Sequence, residues 1–403
     1  MVNDLSIPID VERLYNLLKE MVDIYSPSGK EEELTEYLFE FLREHLEPHG
    51  CRVMLQPVDE SRSNILVETP PGDTAGIIPP TDVTEQPYTR LATSMLFLGH
   101  IDTVPAYDIE NYRLRDHKGN LRGLGTSDMK SGCAAMIEAF CSAALSGSLP
   151  PRAMLALVVG EEESGDGTQA LLREYQFESA LVAEPSGLQP CISHFGYVEM
   201  LLRTFGYRRH AAMSDRDTNA IRAMLRYLLQ LEDRIEQYEE NTVLNIRDIS
   251  SSESGFAVPD RCSASIDIHV PPDVDTADYA LDMRDFSQGT IEANGCTTYE
   301  IDFPTVASGY TLTENDSVHK LLQNVFSHMD REWDPAAFAS HSDANLLFDA
   351  GCRPIILGPG ELAKAHTRDE SVEFSQVTDA AMIYLSLLEQ LADPEAPGLA
   401  GNS

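Results

Sequence analysis

The 403-residue chain predicts an α/β fold, a mostly parallel sheet with helices on both faces, carrying an inserted two-layer α+β domain. Three observations lead there. Short apolar runs at 96–99, 154–159 and 180–183 each stop abruptly at polar residues and are followed by helical periodicity, the pattern of buried parallel strands joined by crossover helices. Between residues 197 and 307 the pattern changes to longer strands in the order β-α-β-β-α-β, which is that of a ferredoxin-like layer pair. After Gly309 the first pattern resumes, so the small domain interrupts the large one. The expected boundaries are 1–196, 197–307 and 308–403.

The elements follow in order. Residues 10–24 and 30–46 place Val11, Leu14, Leu17, Leu18 and Met21, then Leu34, Tyr37, Leu38, Phe41 and Leu42, at helical spacing. Ser26-Pro-Ser-Gly29 between them stops one helix and starts the next. Strands are expected at 51–57 and 64–68, and the Pro-, Gly- and Thr-rich stretch 70–88 reads as a mobile surface loop. Then come the strand ending at His100, a glycine-rich loop to Asp128, a helix over 134–140, the strand 154–159, a helix over 168–175 and the strand 180–183. The inserted domain is read as strand 197–205, helix 217–238, strands 243–249 and 261–269, helix 275–292 and strand 297–303. A helix over 317–328, a strand over 354–357 and an amphipathic helix over 376–391 close the chain.

Composition excludes several classes of function. The apolar share is 42%, and no apolar run approaches the ~20 residues that cross a bilayer. The net charge of −37, from 66 acidic against 29 basic residues, argues against nucleic acid or an anionic membrane as partner, since both require basic surface. The acids are spread along the chain, as in a protein of a salt-accumulating cytoplasm, where ionic strength screens the repulsion; a stability optimum at low salt would count against that habitat. No basic segment with an apolar export core opens the sequence, and the seven cysteines are scattered with no Cys-x-x-Cys pair. A reduced, cytoplasmic protein is expected.

The chemistry-bearing residues sit where strands end. Alternation on a strand puts His100 and Asp102 on one side, so that the carboxylate can fix the imidazole tautomer. Gly123-Leu-Gly125 leads to Asp128 at a loop-to-helix junction, Glu161-Glu162-Glu163 follows a buried strand, and Glu184 and His366 end two further ones. Taken singly, each also fits a structural role: a satisfied core histidine, an aspartate on a turn, a solvated acidic run. Together, two histidines and several carboxylates without a thiolate suit zinc, cobalt or manganese, and a shared carboxylate holds two such ions ~3.5–4 Å apart.

These motifs, in this order, resemble the co-catalytic zinc amidohydrolase family of acetylornithine deacetylase, succinyl-diaminopimelate desuccinylase, aminoacylase and carboxypeptidase G. The likeness spans nearly the whole chain: His100-x-Asp102-x-Val-Pro, Gly125-x-x-Asp128-Met-Lys-x-Gly, Glu161-Glu162-Glu163-Ser-Gly, Glu184-Pro-Ser, Gly358-Pro-Gly and Ala365-His366-Thr-x-Asp-Glu370. It implies a zinc-exopeptidase-like catalytic domain with a lid and dimerisation domain, and two divalent ions, zinc first with cobalt or manganese as alternatives. It implies the metal ligands His100, Asp128 (bridging, followed by a cis peptide), Glu163, Glu184 and His366, with Asp102 orienting His100. Glu162 would be the general base of a metal-bridged hydroxide mechanism, and His210 an oxyanion donor lent across a homodimer. Substrate-binding candidates are Asn345, Asn245 and Gly360. His117, His194 and His341 are read as structural or unassigned.

The family's arginine positions are departed from at Asn345 and at His269, and neither side chain reproduces the bidentate fork that clamps a carboxylate; Arg261 or Arg203 would have to substitute. The expected activity is cleavage of the amide bond of an N-acyl amino acid, because the Gly358-Pro-Gly and Ala-His-Thr segments are most similar to acetylornithine deacetylase. The alternative is a di- or tripeptidase or carboxypeptidase acting on short peptides. A non-catalytic metal-binding relative is the reading from another class, against which stands the full set of costly buried acids. A nucleotide site is disfavoured, because Gly123-x-Gly125 lacks a third glycine and no Gly-Lys-Ser/Thr occurs.

Overall fold

A computed structural model describes residues 9–70, 90–91, 95–110, 112–214, 219–238, 240–253, 255–293 and 298–393. The loop expected over 70–88, apart from Pro70, and Cys296 lie outside the described residues. The chain divides into two units, Met1–Ile192 with Leu312–Ala336 and Ser342–Ser403, and Ser193–Thr311 with Ala337–His341.

In the first unit, four neighbouring strands are parallel, in the order Ala153–Val158, Met95–His100, Ser179–Val182 and Arg353–Ile356. The antiparallel hairpin of Arg52–Pro57 and Ser63–Glu68 extends the sheet beyond Ala153–Val158. Met95–His100 and Ala153–Val158 are buried at every residue, which is why they read as continuous apolar runs rather than alternating ones. The helix Lys130–Ser146 is buried along nearly its whole length, packed on Met95–His100 and against the helices Val11–Asp23 and Phe374–Ala392. Its approach to the sheet requires Gly132, where a Cβ would lie 2.4 Å from the Ala183 carbonyl oxygen. Within it, the buried Glu138 carboxylate accepts two bonds from the Arg13 guanidinium at 2.7 and 2.8 Å and one from the Asp10 N–H, tying the first helix down. A three-stranded sheet of Arg115–His117, Asn120–Arg122 and Ser371–Glu373 was not anticipated from the sequence; its strands are too short for period-2 alternation to register.

The second unit carries a five-stranded antiparallel sheet in which Val243–Ser251, Arg261–Val270, Gly196–Phe205 and Tyr299–Asp302 follow in order and Val306–Ala307 also pairs with Gly196–Phe205. The helices Ala220–Tyr238 and Thr276–Ala293 pack on it around Met200, Tyr227, Ile266 and Met283, completing the ferredoxin-like arrangement.

Two histidines give this unit a pH signature. His194 is buried between Tyr310 and Phe338, donating from Nδ1 to the Phe195 carbonyl at 2.7 Å, and His341 is half-buried against Tyr197. Burial, first of all, pushes His194 down to about 3 and His341 down to about 4. Both therefore fold neutral but take up a proton near 6.5 once unfolded, so stability is full above pH 6.5 and lost as the pH falls toward 4. Each is expected to cost about 1.4 kcal/mol per pH unit within that window. Urea unfolding of wild type and His341→Asn at pH 7 and pH 5 checks this; an equal acid loss in both would refute the assignment to His341.

Candidate metal centre

The C-terminal ends of four adjacent parallel strands share one edge, where open α/β sheets place their ligands. His100 ends its strand, Glu161 and Glu162 follow Ala153–Val158 across Gly160, Glu184 lies just past Ser179–Val182, and His366 follows Arg353–Ile356 at the end of a loop. Asp128 is brought alongside by the turn before the helix Lys130–Ser146, and its peptide bond to Met129 is cis.

Asp128 sits between the two imidazoles. Its Oδ1 is 3.2 Å from His100 Nε2 and its Oδ2 3.3 Å from His366 Nε2. On the His100 side, Nε2 also faces Glu184 Oε1 at 3.8 Å and Glu161 Oε2 at 3.9 Å; on the His366 side, Nε2 is 2.9 Å from Glu162 Oε2. The donor atoms of His100, Asp128 and Glu162, and those of His100, Glu161 and Glu184, form groups within 4.8 Å. His100 Nδ1 is held by the Asp102 main-chain carbonyl at 3.0 Å, with the Asp102 carboxylate farther off at 3.5 Å, so Nε2 is left to face the acids. The orienting partner is thus chiefly the backbone of Asp102 rather than its side chain.

The Asp102 carboxylate has a different task. Its Oδ1 accepts the Glu161 N–H at 3.2 Å and its Oδ2 the Glu162 N–H at 3.1 Å, with Ser28 Oγ donating to Oδ2 at 2.7 Å. This clamp fixes which two members of the acidic triplet point at the cluster. Glu163, expected as a ligand, is exposed and stands in neither metal-competent group. The turn after Gly160 (φ 75°) brings Glu161 and Glu162, and not Glu163, to the cluster.

Glu370 carries no role in the sequence reading beyond closing a motif. Buried, it accepts N–H bonds from Gly125 at 3.0 Å, Ser127 at 2.8 Å and Asp128 at 3.0 Å, joining the His366 loop to the Asp128 loop. The only sequence signal for it was an acid four residues past a candidate ligand.

The electrostatics are those of an acidic cluster in need of cations. Burial raises Glu161 and Glu184 well above the ordinary carboxylate range and raises Glu162, with repulsion from neighbouring acids adding to each. Hydrogen bonds to Asp128 and Glu162 lift His366 to about 11; burial works against protonation of His100, but Asp102 and Asp128 raise it all the same. Glu162 Oε1 is buried with no hydrogen-bond partner. Imidazole and carboxylate donors, an orphaned buried oxygen and a carboxylate with one oxygen toward each half fit a pair of divalent ions.

The protein-family model for Peptidase family M20/M25/M40 matches residues 96–390. The chain belongs to this family. As a Peptidase M20/M25/M40 member it is a metallohydrolase acting on peptide or amide bonds. Its fold is shared with a tripeptidase from Staphylococcus aureus (19% identity over 95% of this chain and 99% of that one, TM-score 0.75). It is likewise similar to the aminopeptidase PepT from Bacillus cereus (18%, 96% and 100%, TM-score 0.73) and to an M20 family metallo-carboxypeptidase from Sulfolobus solfataricus (16%, 94% and 99%, TM-score 0.70).

The other expected site residues of this family member are placed as follows. Asn345 is buried in a capping box, its Oδ1 accepting the Ser342 N–H at 3.1 Å at the start of the helix Asp343–Asp349. The Gly360 N–H donates to Gln376 Oε1 at 3.0 Å. In the second unit, Asn245 donates to Asp267 Oδ2 at 3.1 Å, Arg203 pairs with Glu300 at 3.0 Å, and Arg261 is exposed. His210 is exposed there, and its Nδ1 accepts the Ala212 N–H at 3.2 Å, which leaves the proton of the neutral ring on Nε2. No helix among the described residues is long and apolar enough to cross a membrane.

Proposed function

We propose that the chain hydrolyses the amide bond of a short peptide, with His100, Asp128 and Glu184 holding one divalent ion and Asp128, Glu162 and His366 a second. The single observation that supports this most is Asp128, with one carboxylate oxygen toward each imidazole. Zinc is the first candidate, since the ligands are borderline nitrogen and hard oxygen. Bound ions of this type polarise a carbonyl and acidify water. The remaining acid, Glu161, is the general base: held by its backbone to Asp102, it takes a proton from the attacking water and returns it to the departing amine. Burial favours that exchange, because a carboxylate whose proton affinity is raised is better matched to water near neutral pH.

The peptide reading is supported by neighbours named as a tripeptidase, an aminopeptidase and a carboxypeptidase. The second reading, an N-acyl amino acid deacylase, is favoured by the similarity of the Gly358-Pro-Gly and Ala365-His366-Thr segments to acetylornithine deacetylase. A homodimer through the second unit is supported by its exposed edge strand, which presents Val243, Ile246 and Ile249 to solvent, and by the exposed Leu225 and Leu229 of the helix Ala220–Tyr238. In that assembly His210 Nε2–H would be available as an oxyanion donor to the partner. Six described cysteines, all buried and unpaired, support a reducing cytoplasmic setting.

The test is amine release by zinc- or cobalt-reconstituted protein from dipeptides, tripeptides, and N-acetyl and N-succinyl amino acids. Turnover of peptides is expected. Turnover confined to one acyl amino acid would replace the first reading by the second, and no turnover of any member with two ions bound would overturn both.

A further inference from the structure

Beyond His366 the same loop runs on through Arg368 and Asp369, and there it walls a cleft of about 340 Å³ whose other walls come from residues 106–108, 112–117 and 122–124. Arg113, Arg115, Arg122 and Arg368 all line it. In a chain with 29 basic residues among 403, an even spread would place about one cation among the fourteen lining positions, and the strong acidity of the whole makes four more anomalous still. All four side chains are exposed. The Arg368 guanidinium lies over the Tyr107 ring at 5.4 Å and that of Arg113 over the Tyr112 ring at 5.9 Å, with Arg113 Nε donating to the Tyr112 hydroxyl at 3.4 Å, contacts that bias the guanidinium positions and leave their terminal NH2 groups for a ligand.

The lining also holds three acids. Glu370 is spent on three backbone amides of the Asp128 loop, and Asp369 meets Arg122 only at 3.6 Å with both side chains exposed, a pair worth little. Asp108 is the third acid of the lining. The volume falls in the range of small-molecule sites.

From this geometry we infer that the cleft binds a small oxyanion of two or more charges, a polycarboxylate or a phosphate, through the guanidinium edges of Arg113, Arg122 and Arg368. Arginine matches both oxyanions bidentately, which is why the class is set by charge and shape rather than by one element. The site uses no group assigned to the metal centre and rests on no reading of the reaction there.

Titration calorimetry of the metal-loaded protein at low ionic strength, with tricarballylate in one arm and inorganic phosphate in the other, tests it. One saturable site per chain is expected for at least one anion, the stronger arm identifying the oxyanion class. Arg113→Ala with Arg368→Ala is expected to weaken it by about tenfold or more, at unchanged metal content. Arg113→Gln with Arg122→Gln is a second pair, should the first fold poorly. Absence of saturable binding in both arms overturns the proposal. So does an unchanged affinity in the variants, which would place the anion elsewhere, the metal centre included.

Discussion

Glu161→Gln is expected to lower turnover by about 10²–10⁴-fold, the span of a lost general base, while the protein retains two metal ions. The amide keeps the shape of the carboxylate and the N–H bond from its own backbone to Asp102 at 3.2 Å, so the loss is of proton affinity alone. Glu162→Gln is the informative partner experiment. Its Oε2 lies 2.9 Å from His366 Nε2, so its loss is expected to lower metal stoichiometry toward one per chain, with activity falling as a consequence. Glu163→Gln, on an exposed side chain, is expected to leave both readouts at wild-type values. Metal analysis by mass spectrometry alongside kcat separates the three; a Glu162→Gln protein that keeps both ions and loses turnover would return the base to position 162.

Removing metal is expected to destabilise the first unit more than most single substitutions. Without cations, Asp128, Glu161, Glu162 and Glu184 face one another in a buried space, and the folded state answers by holding protons it would not hold in water. Binding to the native state alone stabilises by about 4 kcal/mol per site at a thousandfold excess over Kd. At about 2–4 °C per kcal/mol for a unit of this size, two sites together correspond to a fall on the order of 15–30 °C on chelation. Scanning calorimetry before and after chelation, then after zinc is returned, measures it; a melting temperature insensitive to chelator would refute metal binding at this cluster.

Most of the architecture could be read from the sequence because buried parallel strands and amphipathic helices leave strong periodic signals. The strand 154–159, the helix 317–328 and the ferredoxin-like insertion are cases where one face or both faces are fully committed. Short edge elements such as Arg115–His117 and Ser371–Glu373 were missed, since three residues carry no period. The structure brings together His100, Asp128, Glu184 and His366, which stand out in the sequence because each ends an apolar run or a glycine-rich loop. Within the triplet, three consecutive acids look alike in sequence, and only the bonds from the N–H groups of Glu161 and Glu162 to Asp102 distinguish them. The candidate substrate residue Asn345 failed to announce its capping role for a similar reason, its partner being a local backbone N–H.

The tether made by Glu370 has a thermodynamic side. A loop that must find its metal partner from a disordered ensemble spends binding free energy on ordering, and affinity falls by that amount. Because Glu370 grips three amides of the Asp128 loop only four residues beyond His366, that imidazole reaches the bridging carboxylate already confined. On the proposed ligand assignment a second ion would meet a preorganised pair, and the affinity for it would depend on a residue that itself makes no contact with the ion.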